Sequence, residues 1–200
     1  MSPPRADEVV AGEDGLARCP WSLDHPLNTH YHDTEWGVPV RSERGLFERL
    51  TLEAFQSGLS WLTILRKREA FRAAFAGFDV DAVAAFTDED HARLMTDAAI
   101  VRNRAKIAAA ITNARAIAAL REAGGIADLI WAHQPAPAPA LARLSEVPPK
   151  DAASAALAKD LKRTGLVFAG PTTCMALMEA AGLVDHHLEG CHRRGVAGGG

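Results

Sequence analysis

The sequence predicts an all-α protein: apolar residues recur at helical spacings, capping and stop residues bracket those runs, and no segment alternates convincingly with the period of a strand. At 200 residues, 48% hydrophobic and 24% charged, the chain has the length and apolar content for one substantial core. No apolar run approaches the roughly 20 residues of a membrane span. The acidic, polar N-terminus (Glu8, Glu13, Asp14) lacks the basic-then-apolar order of a secretory signal, so a cytoplasmic location is expected. A net charge of −3 argues against a coat for DNA of any sequence, but not against a DNA enzyme with a local basic patch.

From the N-terminus, residues 1–17 mix Pro, Gly and charge without periodicity and read as a flexible tail, as do 195–200. A single helical domain over 18–194 is expected between them. Leu46, Phe47, Leu50 and Phe55 share one face of a helix over 43–55. The next, over 59–75, turns Leu62, Leu65, Phe71 and Phe75 inward and Arg66, Lys67, Arg68 and Glu69 outward, with Gly77 as its stop. A short helix spans 79–86. Thr87 then caps another, with Asp90 as reciprocal partner. An Ala- and Ile-rich helix covers 103–120 and ends at Gly124-Gly125. Residues 134–139 form a stiff Pro-Ala connector. Asp151 caps a helix to Thr164 that Gly165 stops. Gly170-Pro171 opens the last helix, which ends before Gly182. About eight helices result.

Three cysteines cannot complete a disulfide framework. Cys174 falls on an apolar helical face and belongs to the core. Cys19 and His32 near one end, with the His187-x-x-x-Cys191 pair near the other, would close a tetrahedral zinc site tying the two ends together. Spacing alone does not choose this set over His25, His30, His186 and His192.

Trp21, Tyr31 and Trp36 crowd one short stretch of a chain with one Tyr and four Trp. With Glu53 and Trp61 they suit either a slot for a flat ring or an aromatic minicore beside a metal, and both readings stand at this level. Leu94 to Ile107 has the pattern of helix, tight turn and helix. Arg102, Arg104 and Lys106 cluster where the second helix begins, a place that favours phosphate or, equally, a solvated face.

Taken together, Arg18-Cys19-Pro20-Trp21, Tyr31-His32-Asp33-Thr34-Glu35-Trp36-Gly37-Val38-Pro39, Leu52-Glu53, Gln56-Ser57-Gly58-Leu59-Ser60-Trp61, Arg102-Asn103-Arg104-Ala105-Lys106-Ile107 and Gly182-Leu183-Val184-Asp185-His186-His187 through Cys191 resemble the constitutive, type I DNA-3-methyladenine glycosylases. The resemblance covers about residues 18–191. It implies a helix-hairpin-helix glycosylase fold and one structural zinc on Cys19, His32, His187 and Cys191. It also implies a base pocket of Tyr31, Glu53 and Trp61 with Trp21 and Trp36 nearby, Glu53 and Tyr31 being the catalytic candidates. The implied partner is double-stranded DNA containing 3-methyladenine, gripped through Arg102, Arg104 and Lys106 by a monomer. No lysine stands in a nucleophile position of the pocket motifs, so hydrolysis without strand cleavage is expected, with Glu53 or Asp33 as candidates for activating water.

Three positions depart from the family pattern. Ala99 stands in the hairpin turn where Gly is usual, Met175 where an aromatic residue is common, and Glu179 where Gln is more usual. A related glycosylase of different base preference, or a zinc-stabilised module that binds alkylated DNA without cutting it, are the rival readings.

Overall fold

The structure, a computed structural model, describes residues 6–197; the outermost parts of both expected tails lie outside this range. Nine α-helices lie among the described residues: α1 (Pro26–Thr34), α2 (Glu43–Gln56), α3 (Trp61–Ala74), α4 (Val80–Ala84), α5 (Asp88–Thr96), α6 (Arg104–Leu120), α7 (Gly125–Trp131), α8 (Ala152–Arg163) and α9 (Pro171–Ala180). Helix α2 is central and packs against α3, α6, α7 and α9, while α4 and α5 lie on α6 and α8 on α9. Phe47, Phe55, Phe71, Phe75 and Phe78 are fully buried between them. No helix among the described residues is long and apolar enough to cross a membrane.

The expected boundaries hold where caps are local. Ser42 Oγ accepts the Gly45 N–H at 3.3 Å, Thr87 N–H donates to Asp90 at 3.1 Å, and Asp151 accepts the Ser154 N–H at 2.7 Å. Cys174 is fully buried, as expected.

Two helices escape the sequence reading. Helix α1 has no apolar stripe; its buried residues Asn28, Tyr31 and His32 have helical spacing but polar or aromatic chemistry. Helix α7 restarts at Gly125, directly after Gly124 takes the left-handed conformation with φ +97°.

The expected N-terminal tail is also corrected over its described part. Val10–Ala11 pairs antiparallel with Ala17–Arg18, a two-residue ladder in an otherwise helical fold. Asp7 accepts hydrogen bonds from the Ser145 N–H and hydroxyl, both at 2.8 Å. Ser145 lies far along the chain from Asp7, so local periodicity carries no trace of that contact.

Arg68 is a second correction. It turns inward, its Nε and Nη1 donating at 2.8 Å to Glu48 and Glu35, while Arg72 reaches the same Glu48 oxygen at 2.9 Å. The network fixes the end of α1 to α2 and α3. Removing Arg68 leaves the half-buried Glu35 without its cation and Glu48 with Arg72 alone, so Arg68→Ala is expected to cost about 1.5–3 kcal/mol. Chemical denaturation would measure it, and a loss below 1 kcal/mol would show the network to be solvated.

Candidate active site and metal centre

A cavity of about 790 Å³ opens between α1, the start of α3 and the end of α9. Its walls bring Trp21, Tyr31 and Trp36 of one N-terminal stretch together with Glu53 of α2 and Trp61 of α3. The Tyr31 and Trp61 rings lie 5.1 Å apart, and Trp21 stands 6.5 Å from Tyr31 and 5.1 Å from Trp36. Trp21, Trp36 and the metal-site histidines form a contiguous aromatic cluster, so the slot and the minicore are two sides of one assembly.

The turn from Ser57 to Ser60 positions the pair from α2 and α3. Gly58 takes φ +82°, and Ser60 caps α3 by accepting the Thr63 N–H at 3.2 Å. Glu53, in the last turn of α2, and Trp61, first residue of α3, thereby face one cavity. Trp61 Nε1 is buried without a hydrogen-bond partner among the described residues. A buried donor of this kind is costly unless a ligand or water completes it.

Glu53 is itself buried. Burial first, and then the Glu179 carboxylate, push its pKa up to about 8, against the pull of the nearby Arg49 guanidinium. At neutral pH the ligand-free pocket therefore holds Glu53 largely protonated, whereas a cationic ring would favour its ionised form. Burial, and then the charge of Glu53, likewise raise the Tyr31 phenol, which stays a neutral donor. Asp33 lies outside the cavity wall. Burial works to raise its pKa, but hydrogen bonds from Arg18, His32 and His192 outweigh it and hold the carboxyl well below the usual range.

Sequence reasoning missed Arg49 and gave Glu179 only as a departure from the family pattern. Arg49 Nε donates to the Ala180 carbonyl at 3.0 Å, joining α2 to the C-terminal end of α9. Glu179 lines the cavity and meets His186 Nδ1 at 2.6 Å. Met175 is buried in the core, and it is Ala176 that reaches the cavity.

Behind Trp21 and Trp36, Cys19, His32 and Cys191 form a buried group with the spacing to hold a metal ion, their ligating atoms within 4.8 Å of one another. Cys191 Sγ lies 3.4 Å from His32 Nε2, and Cys19 Sγ accepts the Leu188 N–H at 3.4 Å. The Cys19 thiol hydrogen-bonds toward Cys191 and, with His32 nearby, holds the Cys191 thiol well below its ordinary value despite burial.

His187 approaches the same centre, its ring 5.1 Å from that of His32. Its Nδ1 meets Asp185 at 2.8 Å, leaving a buried Nε2 with no partner among the described residues. Asp33 orients His32 in the same way, at 2.8 Å from Nδ1. The group thus takes in Cys19, His32 and Cys191 but not His187, whose orphaned Nε2 beside it has the donor chemistry a tetrahedral ion would need as a fourth ligand.

The rival histidines are engaged otherwise or exposed. His25 caps α1, His186 pairs with Glu179, His192 bonds Asp33 at 3.0 Å, and His30 is exposed. Close approach explains two glycines here. A Cβ on Gly37 would sit 2.8 Å from the His187 ring, and one on Gly182 would sit 2.5 Å from the Gly37 carbonyl.

Helix α5, the turn at 97–103 and α6 give the expected hairpin. Ala99 does not need glycine's freedom: it is absent from the left-handed region, and its N–H donates to Asp97 at 2.8 Å. Arg102 and Arg104 are exposed at the start of α6. Lys106 does not join them. It is buried, and its ammonium donates to the Phe55 and Ser57 carbonyls at 3.0 and 2.6 Å. The expectation of a third phosphate contact gives way to a tether on the end of α2, where a cation also suits the helix dipole.

A helical fold with a hairpin beside an aromatic, carboxylate-bearing slot defines a protein that takes a flat base into a pocket. The chain belongs to the methyladenine glycosylase family, whose model matches residues 21–194. It is 47% identical over 180 residues to DNA-3-methyladenine glycosylase 1 of Escherichia coli K12, covering 88% of this chain and 96% of that protein. It is 43% identical over 178 residues to the DNA-3-methyladenine glycosylase of Haemophilus influenzae, covering 87% and 96%. A crystal structure of 3-methyladenine DNA glycosylase I superposes with a TM-score of 0.85 at 44% identity, covering 88% of this chain and 99% of that one. The Staphylococcus aureus enzyme, whose structure concerns recognition of 3-methyladenine, does so with 0.84 at 36% identity, over 88% and 96%.

Proposed function

We propose that the chain is a monofunctional DNA-3-methyladenine glycosylase: it hydrolyses the N-glycosidic bond of 3-methyladenine in alkylated double-stranded DNA, releasing the base and leaving an abasic site. The observation that carries this reading is the cavity where Tyr31, Trp61 and the buried Glu53 converge. Methylation at N3 gives the adenine ring a formal positive charge and weakens its bond to the sugar. Little acid catalysis is needed; the site must capture an electron-poor ring.

The base must first leave the stack, at a cost of a few kcal/mol that falls at a damaged pair. Tyr31 and Trp61 offer faces for stacking and cation–π attraction. Glu53 gives up its proton to solvent water as the cation enters and accepts hydrogen bonds from the adenine edge. The C1′–N9 bond then breaks, its electron pair neutralising the ring, and water adds at C1′ and loses a proton. Asp33, engaged by Arg18, His32 and His192, lies outside the cavity wall, and this reading keeps Glu53 as the candidate for taking that proton.

Zinc on Cys19, His32, His187 and Cys191 is the structural ion this reading includes, and its bonds would add to folding free energy. The reading places a monomer in the cytoplasm. Release of free 3-methyladenine from methylated DNA tests the function, with hypoxanthine- and 7-methylguanine-containing DNA as comparisons. Release of those bases in preference to 3-methyladenine would refute it.

Arg102 and Arg104 are assigned to phosphate. Replacing both by Ala is expected to weaken binding to DNA of every sequence. The slope of log affinity against log salt should flatten by roughly one unit per lost contact. An unchanged slope would move the DNA to another face.

A further inference from the structure

We propose that Glu179 is a specificity-determining residue of the pocket, the second carboxylate of a wall that favours a cationic base over its neutral isostere. The inference rests on the proposed function and names what in the site reads charge. Aromatic faces and a protonated carboxyl can hold a flat ring of either charge. Discrimination by charge needs a fixed negative group within reach of the ring.

Glu179 has the placement for that task. It lies near the end of α9, which packs on α2 and so on the helix carrying Glu53. Its side chain is only 18% exposed, yet it lines the cavity. His186 Nδ1, 2.6 Å from Oε1, fixes the carboxylate's orientation in the wall. Its charge is felt at Glu53, where it adds to burial in keeping the proton on. The groups facing this carboxylate pair are Arg49 on α2, Tyr31 on α1 and His186 after α9.

Two consequences follow for a ring entering the cavity. A neutral ring meets a neutral Glu53 and gains little from Glu179. A cation interacts favourably with Glu179 and, by compensating the repulsion between the carboxylates, lets Glu53 ionise as well. Both carboxylates are largely buried, and there such charge terms exceed those at a surface.

The test uses the full-length chain and two probes of one shape. One is 3,9-dimethyladeninium, a permanent cation; the other is its neutral isostere with carbon in place of N3. Their affinities are read from quenching of tryptophan fluorescence at pH 7. The wild-type chain is expected to bind the cation at least tenfold more tightly than the isostere. Glu179→Gln is expected to lower affinity for the cation about tenfold and to change that for the isostere less than twofold, with melting unchanged. Glu179→Asp, which keeps the charge, should recover most of the preference.

A ratio in Glu179→Gln equal to wild type, or a parallel loss for both probes, would overturn the proposal. So would equal wild-type affinities, a result that does not depend on any variant folding. A wild-type chain that prefers the cation but releases no base from methylated DNA would refute the proposed function and leave this inference standing.

Discussion

Glu53→Gln is expected to lower single-turnover release of 3-methyladenine by about 10- to 150-fold, the equivalent of losing one charged hydrogen bond worth about 1.5–3 kcal/mol. The substitution keeps the shape of the side chain but cannot ionise. Binding of the 3,9-dimethyladeninium cation should fall with it, while metal content stays as in the wild type. Wild-type release and binding would remove Glu53 from the site.

The same substitution has a second signature in stability. The Glu53 pKa in the folded chain, about 8, lies above the ordinary glutamate value of 4.5. Between those values the folded chain binds more protons than the unfolded one, so stability falls as pH rises through that window. The stabilising proton is fully present below about pH 4.5 and is lost by about pH 8 and above. Glu53→Gln removes this dependence. At pH 9 it should make the ligand-free chain more stable than wild type by about 3–5 kcal/mol, a gain absent at pH 4. Denaturant titrations at the two pH values would show it. Equal stability at pH 9 would mean that Glu53 is solvated in the free protein.

Cys191→Ser is expected to abolish stoichiometric zinc binding and to lower stability by about 3–5 kcal/mol. For a chain of this length that is a fall in melting temperature of about 6–20 °C. A chelator should destabilise the wild type by a similar amount and leave the variant unaffected, which separates loss of the ion from a local packing defect. Retention of one zinc per chain in Cys191→Ser would dismiss the ligand set. Calorimetry with elemental analysis of the same samples would decide it.

Arrangements within one helix or turn were readable in advance. Glu53 and Trp61 lie eight residues apart across a turn, and that turn does point both into one cavity. Asp151 and Gly165 bracket α8 as a cap and a stop do in any helix. Helix α1 escaped because the apolar-periodicity rule weighs hydrophobicity. Its inward face, Asn28, Tyr31 and His32, is built of residues that the pocket and metal corner use.

Lys106 and Arg68 show the opposite failure. By sequence both are cations beside other cations on helices, the pattern of a solvated face. In the fold Lys106 finds the uncapped carbonyls of Phe55 and Ser57, and Arg68 finds Glu35 and Glu48. Each partner lies tens of residues away, and a buried cation is stable only when such partners meet it.

By itself, then, the sequence determined the helical class, most helix ends and, through motif resemblance, the candidate ligands and base-pocket residues, because periodicity, capping and motifs are written in neighbouring residues. Tertiary structure alone decided which surface cations turn inward. It also tied down the described part of the N-terminal segment and brought the expected catalytic Glu53 close enough to Glu179 and Arg49 to shift its proton affinity. Burial and the distance between charges set those outcomes, and both arise only when segments remote in the chain pack together.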